Sequence, residues 1–367
     1  MTKTKVGIVF GGKSAEHEVS LQSAKNIVDA IDKEKYEVVL LGIDKQGKWH
    51  INNTSSYLIN EENPKLIQLN KSNEQVAVVP GAENGQLVNM SRTDGLDQVD
   101  VVFPIVHGTL GEDGSIQGML RLANLPFVGT DVLGSAVSMD KDYAKRLLHG
   151  AGIAVANGMT FRKSKQNEID FVKVKEALGL PMFIKPANQG SSVGVSKVRN
   201  EEEFYQGMKD AFQYDQKVLV EEAIVGREIE CAVLGNEDPI ASLPGEVLPQ
   251  TDFYSYESKY IDETGAELAA PADLSDELTK KVQQAAVEVF QTLDCEGMAR
   301  VDFFLQENGE LVVNEVNTLP GFTKISMYPR LWGISGIPYA ELIDRLITLA
   351  VERHERNNQL KNTMWDE

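Results

Sequence analysis

Apolar and polar positions in the first third of the chain alternate in the pattern of a parallel α/β domain. Residues 5–10 form a short, mostly apolar run that is typical of a buried strand, and apolar residues then recur with helical spacing over 20–31. Two further strand-like runs follow at 36–43 and 99–106. A strand followed by a helix and a second strand is the opening unit of a parallel sheet layer. We therefore predict a small parallel-sheet domain over residues 1–128.

Helical and strand-like patterns alternate through the rest of the chain and predict two more α/β units. Helices are predicted at 140–149, 163–177, 201–212 and 276–292, and strands at 180–185, 218–222 and 227–234. At about 150 residues per domain, a chain of 367 residues has room for two or three domains. We predict a central domain over residues 129–215 and a C-terminal domain over residues 216–367, which gives an α/β protein of three domains.

Composition and charge narrow the class of protein. The apolar content of 42% and the charged content of 25% are ordinary for a globular chain. A net charge of −19 at pH 7 repels polyanions, so we expect no nucleic-acid partner. The two cysteines, Cys231 and Cys295, are too few for a disulfide scaffold or a cysteine zinc site. Because no apolar run has the ~18 residues of a membrane span, we expect a cytoplasmic protein with no membrane partner.

A hairpin near the C-terminus carries the most informative polar residues. Asn308-Gly309 lies between two apolar runs and is the strongest short signal for a two-residue β-turn. Alternation along the two strands then puts two cross-strand pairs on one face: Asp302 with Glu315, and Arg300 with Asn317. The opposite face is apolar except for Asn314, which does not fit the alternation.

Two carboxylates that face each other need a positive partner. Directly paired side chains lie ~5 Å apart at Cβ, so Asp302 and Glu315 repel each other. Arg300 is one candidate partner. A divalent metal such as Mg²⁺ is the better one, because Asp, Glu and Asn all offer hard oxygen ligands. An exposed hairpin with solvated charges and no metal is the alternative at this point.

A lysine at the end of an apolar strand precedes a loop rich in glycine and serine. Lys185 and Pro186 close the strand, and residues 188–194 form the loop. Backbone N–H groups and serine hydroxyls of such a loop can cradle phosphate oxygens, to which Lys185 adds a point charge. The strand-like segment 218–224 passes into a turn whose backbone can read an adenine edge, with Glu228 placed for ribose hydroxyls. An ordinary surface loop and an ordinary strand end are the alternatives.

Residues 7–14 match the pattern G-x-x-x-x-G-K-[ST] of a phosphate-binding loop, but we reject the match. Its variable positions fall in the predicted strand, whereas a phosphate cradle needs them in the turn. The turn itself begins at Gly11 and places Glu16 just beyond the carboxyl end of a strand, where α/β sheets bind ligands. A carboxylate there suits a substrate ammonium. The alternative is an acid that the helix dipole favours at a helix start.

Together, these stretches resemble the D-alanine–D-alanine ligase family of the ATP-grasp superfamily. The resemblance follows nearly the whole chain in order, through segments 11–20, 107–114, 139–141, 185–194, 259–260, 300–302 and 314–321. It implies that the small parallel-sheet domain is followed by a two-domain ATP-grasp fold. It further implies ATP-dependent joining of two D-alanines through an acyl phosphate, for peptidoglycan precursor synthesis. ATP as co-substrate and two Mg²⁺ ions, for which Mn²⁺ can substitute, are the implied cofactors.

The resemblance also implies a role for each matching residue. The ATP-binding residues are Lys141, Lys185, Ser192, Glu221, Ile224 and Glu228. The magnesium ligands are Asp302, Glu315 and Asn317. The first D-alanine is held by Glu16 with His107 near its carboxylate, and the second by Ser326 and Met327. Ser191 and Tyr260 form a hydrogen-bonded group with Glu16, and Lys259 faces the transferred phosphoryl group. Arg300 and the Gly321 backbone N–H face the oxyanion.

Three other functions stay open at this point. Another ATP-grasp carboxylate–amine ligase would keep the lysines and the acidic hairpin but lose the set of Glu16, Tyr260 and Ser326. In the family, a tyrosine at the position of Tyr260 accompanies an amine nucleophile, whereas other residues accompany D-lactate, so D-serine stays open as an alternative second substrate. A P-loop kinase would depend on Lys13. A non-catalytic nucleotide-binding regulator would need neither Arg300 nor a lid, for which the loop 249–267 has the length and aromatic content. Between the adenine-site residues this chain has Glu222-Ala223, where relatives can carry a lysine and an aromatic residue. Family analogy also leads us to expect a homodimer.

Overall fold

The computed structural model of the chain describes residues 3–361 except 55, 73, 82–84, 91–97, 250–265 and 324. Elements are numbered along these described residues. The helices are α1 (His17–Ala30), α2 (Ser115–Leu122), α3 (Val132–Met139), α4 (Lys141–Gly150), α5 (Phe171–Leu178), α6 (Glu201–Tyr214), α7 (Asp276–Thr292), α8 (Met327–Ile334) and α9 (Tyr339–Asn358).

The strands up to the centre of the chain are β1 (Thr4–Gly11), β2 (Tyr36–Ile43), β3 (Trp49–Asn52), β4 (Leu58–Ile59), β5 (Gln68–Leu69), β6 (Val76–Val78), β7 (Leu87–Asn89), β8 (Val101–Ile105) and β9 (Gly158–Arg162). Those that follow are β10 (Met182–Pro186), β11 (Ser196–Val198), β12 (Lys217–Glu222), β13 (Arg227–Gly235), β14 (Ile240–Ala241), β15 (Gly245–Pro249), β16 (Ala266–Ala269), β17 (Gly297–Leu305) and β18 (Leu311–Asn317).

The first sheet has the order β3-β2-β1-β8. Strand β1 pairs in parallel with β2 and with β8, while β3 closes one edge antiparallel to β2. Every residue of β1 from Val6 onward is buried, as expected for a central parallel strand that is covered on both faces. The predicted parallel-sheet fold of the N-terminal domain is therefore confirmed, whereas the domain limits at residues 128 and 215 stay predictions.

Two antiparallel sheets follow. The second sheet has the order β11-β10-β12-β9 and packs against α5 and α6. The third has the order β16-β15-β13-β17-β18, with β14 beside β13, and packs against α7. The glycine- and serine-rich loop leaves the second sheet and the acidic hairpin belongs to the third, so the candidate residues sit on separate scaffolds that the tertiary structure must bring together.

The helix predicted over 163–177 is wrong in its extent. The chain forms a 3₁₀ helix over Lys163–Glu168, and α5 begins only at Phe171. Asp170 caps α5, because its carboxylate accepts hydrogen bonds from the backbone N–H groups of Val172 and Lys173 at 2.9 and 3.4 Å. Such a side chain satisfies N–H groups that lack a helical partner, and it therefore starts a new helix within the predicted one.

One hydrophobic core joins the first sheet to the C-terminal helices. Phe322 lies at its centre, with ring centroids 5.9 Å from Phe103 of β8 and 5.7 Å from Tyr328 of α8. All three rings are fully buried, so this packing holds the segment after β18 against the N-terminal domain. Of the helices that the structure describes, none combines the length and the apolar content needed to cross a membrane.

Candidate active site

Strands β17 and β18 form the predicted hairpin, and its polar pairs are confirmed. Asp302 lies opposite Glu315, and Arg300 lies opposite Asn317. The predicted two-residue turn is wrong, however. The Gln306 N–H donates to the Glu310 carbonyl at 2.9 Å, which leaves three residues in the turn, the last of them Gly309 with a φ of +79°. A three-residue turn that ends in a left-handed glycine is a common hairpin connection.

A β-bulge restores the predicted register. Leu305 pairs with Leu311 and Phe303 with Val313, yet Asp302 pairs with Glu315, so Asn314 has no counterpart in the ladder. The extra residue in the turn and the extra residue in the bulge cancel each other. The bulge also explains why Asn314 does not fit the alternation of the sequence, since a bulged residue interrupts the period of two.

Arg300 neutralises one of the two opposed carboxylates. Its Nε and Nη2 atoms donate to the two carboxylate oxygens of Asp302, each at 2.7 Å, in the bidentate geometry that suits a guanidinium. Arg300 Nε also lies 3.2 Å from the Glu230 carboxylate on the neighbouring strand β13. Asn317 donates from its amide nitrogen to Asp302 at 3.0 Å. Charge and hydrogen bonds thus offset the repulsion that the sequence predicts.

Lys141 neutralises the other carboxylate. It is the first residue of α4, and its Nζ lies 3.2 Å from Glu315 Oε2. The same ammonium donates to the Gln189 carbonyl of the glycine- and serine-rich loop at 2.8 Å. Lys141 therefore links the acidic hairpin of the third sheet to the loop of the second.

The hairpin offers an oxygen ligand set that is incomplete for a metal alone. Asp302 and Glu315 supply carboxylates, and Asn317 supplies an amide. Within the described ranges, no three or more His, Cys, Asp or Glu side chains converge as a metal site. Mg²⁺ commonly takes one or two protein carboxylates and completes its shell with phosphate oxygens and water. The residues therefore fit Mg²⁺ that is bound together with a nucleotide phosphate.

Two lysines share one buried carboxylate at the end of β12. Glu221 is 3% exposed, and its two carboxylate oxygens lie 2.6 Å from Lys145 Nζ and 2.5 Å from Lys185 Nζ. Burial by itself would raise the pKa of Glu221, but the two ammonium groups more than offset it and lower that pKa to about 2. The sequence prediction included Glu221 and Lys185 but missed Lys145. The available signal was its i, i+4 spacing from Lys141 on one helix face.

Glu16 meets the glycine- and serine-rich loop. The Ser191 hydroxyl donates to the Glu16 carboxylate, and both side chains are buried. A Cβ atom added to Gly190 would lie 3.1 Å from Glu16 Oε2, so the absence of a side chain there allows close approach. Two serines of this loop adopt a left-handed backbone, with φ values of +52° at Ser191 and +60° at Ser192. Strained non-glycine residues of this kind cluster at functional sites.

His107 is buried and neutral. Its Nδ1 lies 3.0 Å from the Leu319 carbonyl and therefore carries the ring proton, while its Nε2 accepts from the Ser23 hydroxyl at 3.0 Å. Burial lowers the pKa of His107 to about 4. The imidazole thus ties the turn after β8 to the segment after β18.

Glu112 is a site residue that the sequence prediction did not single out. Its carboxylate accepts from the Gly108 N–H at 2.8 Å. Burial and the negative charge of Glu16 raise the pKa of Glu112 to about 8, and the charges of Lys141 and Glu315 also act on it. The segment 111–114 had been part of the family resemblance, but nothing in the sequence indicated that Glu112 lies among these groups.

The remaining predicted residues lie on the segments around this centre. The Ser326 hydroxyl accepts from the Thr323 N–H at 2.9 Å, and a Cβ atom added to Gly321 would lie 2.7 Å from the same hydroxyl oxygen. Met327 is buried at the start of α8. Ile224 lies in the link between β12 and β13, and Glu228 lies on β13 opposite Phe304. Lys259 and Tyr260, with most of the predicted lid 249–267, lie outside the described residues.

The rejection of a P-loop agrees with the fold. Ile8, Val9 and Phe10 lie within β1 and are fully buried, so they form no phosphate cradle. Lys13 is exposed to solvent. Lys141, Lys145 and Lys185 instead carry the positive charge that faces the acidic residues of the site.

Known proteins are similar to this chain over its full length. The family model "D-ala D-ala ligase N-terminus" matches residues 5–130, and "D-ala D-ala ligase C-terminus" matches residues 147–348. The D-alanine–D-alanine ligase of Oceanobacillus iheyensis is 68% identical over 364 residues, which cover 99% of this chain and 100% of the relative.

Solved structures agree with these relatives. That of the D-alanine–D-alanine ligase from Coxiella burnetii has a TM-score of 0.83 at 38% identity and covers 98% of this chain and 97% of its own. The VanG D-Ala:D-Ser ligase from Enterococcus faecalis has a TM-score of 0.83 at 36% identity and covers 95% and 100%. The small parallel-sheet domain followed by an ATP-grasp fold is confirmed. The protein belongs to the D-alanine–D-alanine ligase family.

Proposed function

We propose that this protein is an ADP-forming ligase that joins two D-alanine molecules at the expense of ATP and so supplies a precursor of peptidoglycan. The observation that carries the proposal is one polar network that connects segments attached to all three sheets. It passes from Glu16 to Ser191, from the Gln189 carbonyl of the same loop to Lys141, and from Lys141 to Glu315 of the acidic hairpin. An ammonium-binding acid, a phosphate-binding loop and a metal-binding hairpin thus meet at one place.

The first chemical step activates a carboxylate. Glu16 binds the ammonium of the first D-alanine. A carboxylate oxygen of this D-alanine then attacks the γ-phosphorus of ATP. The bond from that phosphorus to the bridging oxygen breaks, ADP leaves, and an acyl phosphate remains. Lys141, Lys185 and Lys259 hold the phosphates and stabilise the charge that is transferred, while Ile224 and Glu228 hold the adenosine.

The second step forms the peptide bond. Ser326 and Met327 position the second D-alanine, whose amine nitrogen attacks the carbonyl carbon of the acyl phosphate. Arg300 and the Gly321 N–H stabilise the resulting oxyanion. The carbon–oxygen bond to phosphate then breaks, inorganic phosphate leaves, and the nitrogen gives up a proton to solvent.

Asp302, Glu315 and Asn317 would hold Mg²⁺, two ions by the family resemblance, with Mn²⁺ as a substitute. When bound, the metal neutralises phosphate charge. Arg300 and Lys141 pair with Asp302 and Glu315 and hold these carboxylates in place before the nucleotide arrives. Because acyl phosphates hydrolyse, the site must also exclude water, a role that we assign to residues 249–267 with Tyr260.

The test is phosphate release from Mg-ATP across a panel of D- and L-amino acids. We expect release with D-alanine and formation of the D-alanyl-D-alanine dipeptide, with no release for L-alanine. Preference for D-serine as the acceptor would assign the protein to the D-Ala–D-Ser ligases instead. Release with L-alanine but not with D-alanine would contradict the proposed substrate.

Two further properties complete the proposal. We expect a homodimer in solution, which sedimentation of the purified protein tests directly. We also expect the protein in the cytoplasm, where ATP is available to it. A monomer that is fully active would contradict the first expectation without affecting the chemistry.

A further inference from the structure

Glu221 is paired with more positive charge than is needed to neutralise one buried carboxylate. Lys145 lies 2.6 Å from one carboxylate oxygen and Lys185 lies 2.5 Å from the other. All three side chains are at most 11% exposed. One negative charge is therefore flanked by two positive charges, and either lysine alone would suffice to neutralise it.

Lys185 has a second partner in the proposed function, which creates a conflict. An ammonium that binds ATP phosphates has to weaken its ion pair with Glu221. A buried carboxylate that loses its only counter-charge is strongly destabilised, and this cost would be subtracted from the free energy of nucleotide binding. The cost is avoided if another cation stays with Glu221.

Lys145 is fixed in position beside Glu221. It lies on α4, and a second ion pair attaches this helix to β12: Asp142 of α4 lies 3.2 Å from the buried ammonium of Lys217, at the other end of the strand. Asp142 also accepts from the Thr160 hydroxyl of β9 at 2.9 Å. Two ion pairs, Lys145 with Glu221 and Lys217 with Asp142, thus hold the helix against the sheet. Lys145 cannot move towards a phosphate group without breaking these contacts.

We propose that Lys145 is a positioning residue for the nucleotide: it retains the Glu221 carboxylate and thereby releases Lys185 for the phosphates of ATP. The inference rests on the proposed function of Lys185 as a phosphate ligand. It separates two neighbouring lysines of similar burial into a fixed partner, Lys145, and an exchangeable one, Lys185.

A double-mutant cycle tests the proposal through the affinity for Mg-ATP, measured by isothermal titration calorimetry without any amino acid. In Lys145→Met, Lys185 becomes the sole partner of Glu221, so we expect ATP affinity to fall about tenfold or more. In a Glu221→Gln background the carboxylate charge is gone and Lys185 needs no release. The same Lys145→Met change should then weaken ATP binding by less than about twofold, or even tighten it.

Further variants distinguish positioning from packing. Lys145→Arg keeps the charge and should restore most of the affinity, whereas Lys173→Met, on the exposed surface of α5, should leave it unchanged. In turnover, Lys145→Met should raise the KM for ATP, with kcat and the KM for D-alanine within about twofold of the wild-type values. If Lys145→Met does not fold, Lys145→Gln replaces it in the cycle.

Equal losses of ATP affinity from Lys145→Met in both backgrounds would overturn the proposal, as would a loss that falls on kcat or on the KM for D-alanine. The calorimetric cycle needs no acceptor. If the wild-type protein binds Mg-ATP but does not turn over with D-alanine, the proposed function fails while the cycle still decides the role of Lys145.

Discussion

Replacing Arg300 by lysine separates the charge of this residue from its geometry. Arg300 makes two 2.7 Å hydrogen bonds to Asp302, and a lysine keeps the positive charge but can make only one of them. A hydrogen bond between charged groups contributes ~1.5–3 kcal/mol, so one lost bond corresponds to a decrease of about tenfold to a hundredfold in kcat/KM. Replacing Arg300 by methionine also removes the charge that faces the oxyanion, which raises the expected loss in kcat/KM to about a thousandfold.

The assay is D-alanine-dependent phosphate release at saturating Mg-ATP, combined with urea unfolding of each variant. Stability should decrease less than activity, because Asp302 keeps the hydrogen bond from Asn317 and the arginine side chain is 18% exposed. The order of activities should be wild type, Arg300→Lys, Arg300→Met. Wild-type kcat/KM in Arg300→Lys, or equal losses in the two variants, would refute the reasoning.

Three other perturbations have defined outcomes. Burial lowers the pKa of His107 from 6.5 to about 4, so the stability that this neutral imidazole contributes is present above pH 6.5 and is lost as the pH falls towards 4. In urea unfolding, the free energy of unfolding of the wild type should therefore decrease by ~3 kcal/mol relative to that of His107→Gln over this interval. Gly108→Ala would place a Cβ 2.5 Å from Glu16 Oε2, so the KM for D-alanine should rise at least about tenfold in phosphate-release assays. Lys13→Ala should leave the KM for ATP within about twofold, because the side chain is exposed and outside the phosphate site.

Each of these has a matched control or a contrary result. Gly152 shares the left-handed backbone of Gly108, with φ values of +84° and +75°, but has no atom within 4 Å of an added Cβ. Gly152→Ala should therefore show similar strain with an unchanged KM for D-alanine; an increase in both variants would mean that strain alone is responsible. Parallel pH profiles for wild type and His107→Gln would refute the burial argument, and loss of ATP turnover in Lys13→Ala would favour a P-loop mechanism.

Local sequence was sufficient to predict many of the helices and strands and, within the candidate site, the acidic hairpin. Periodicity identified β2 and α7 at their exact limits, because each has a clear hydrophobic pattern with polar or capping residues at its ends. The cross-strand pair of Asp302 and Glu315 followed from a turn signal and a period of two. The turn length was wrong, and the pair was right only because a bulge at Asn314 compensated, since no local rule predicts a bulge that far from the turn.

The rest of the site depends on contacts between distant segments. The sequence prediction missed Lys145, Glu112 and the contact of Arg300 with Glu230, because these roles depend on groups that are remote along the chain: Lys145 pairs with Glu221, Glu112 lies near Glu16, and Glu230 lies on another strand. By itself, the sequence determined which residue types were present and which short elements carried them, since these follow from local spacing and turn chemistry. Only the tertiary structure decided which charges became neighbours and how deeply they were buried, because ion pairs and pKa shifts depend on distance and solvent exclusion in three dimensions.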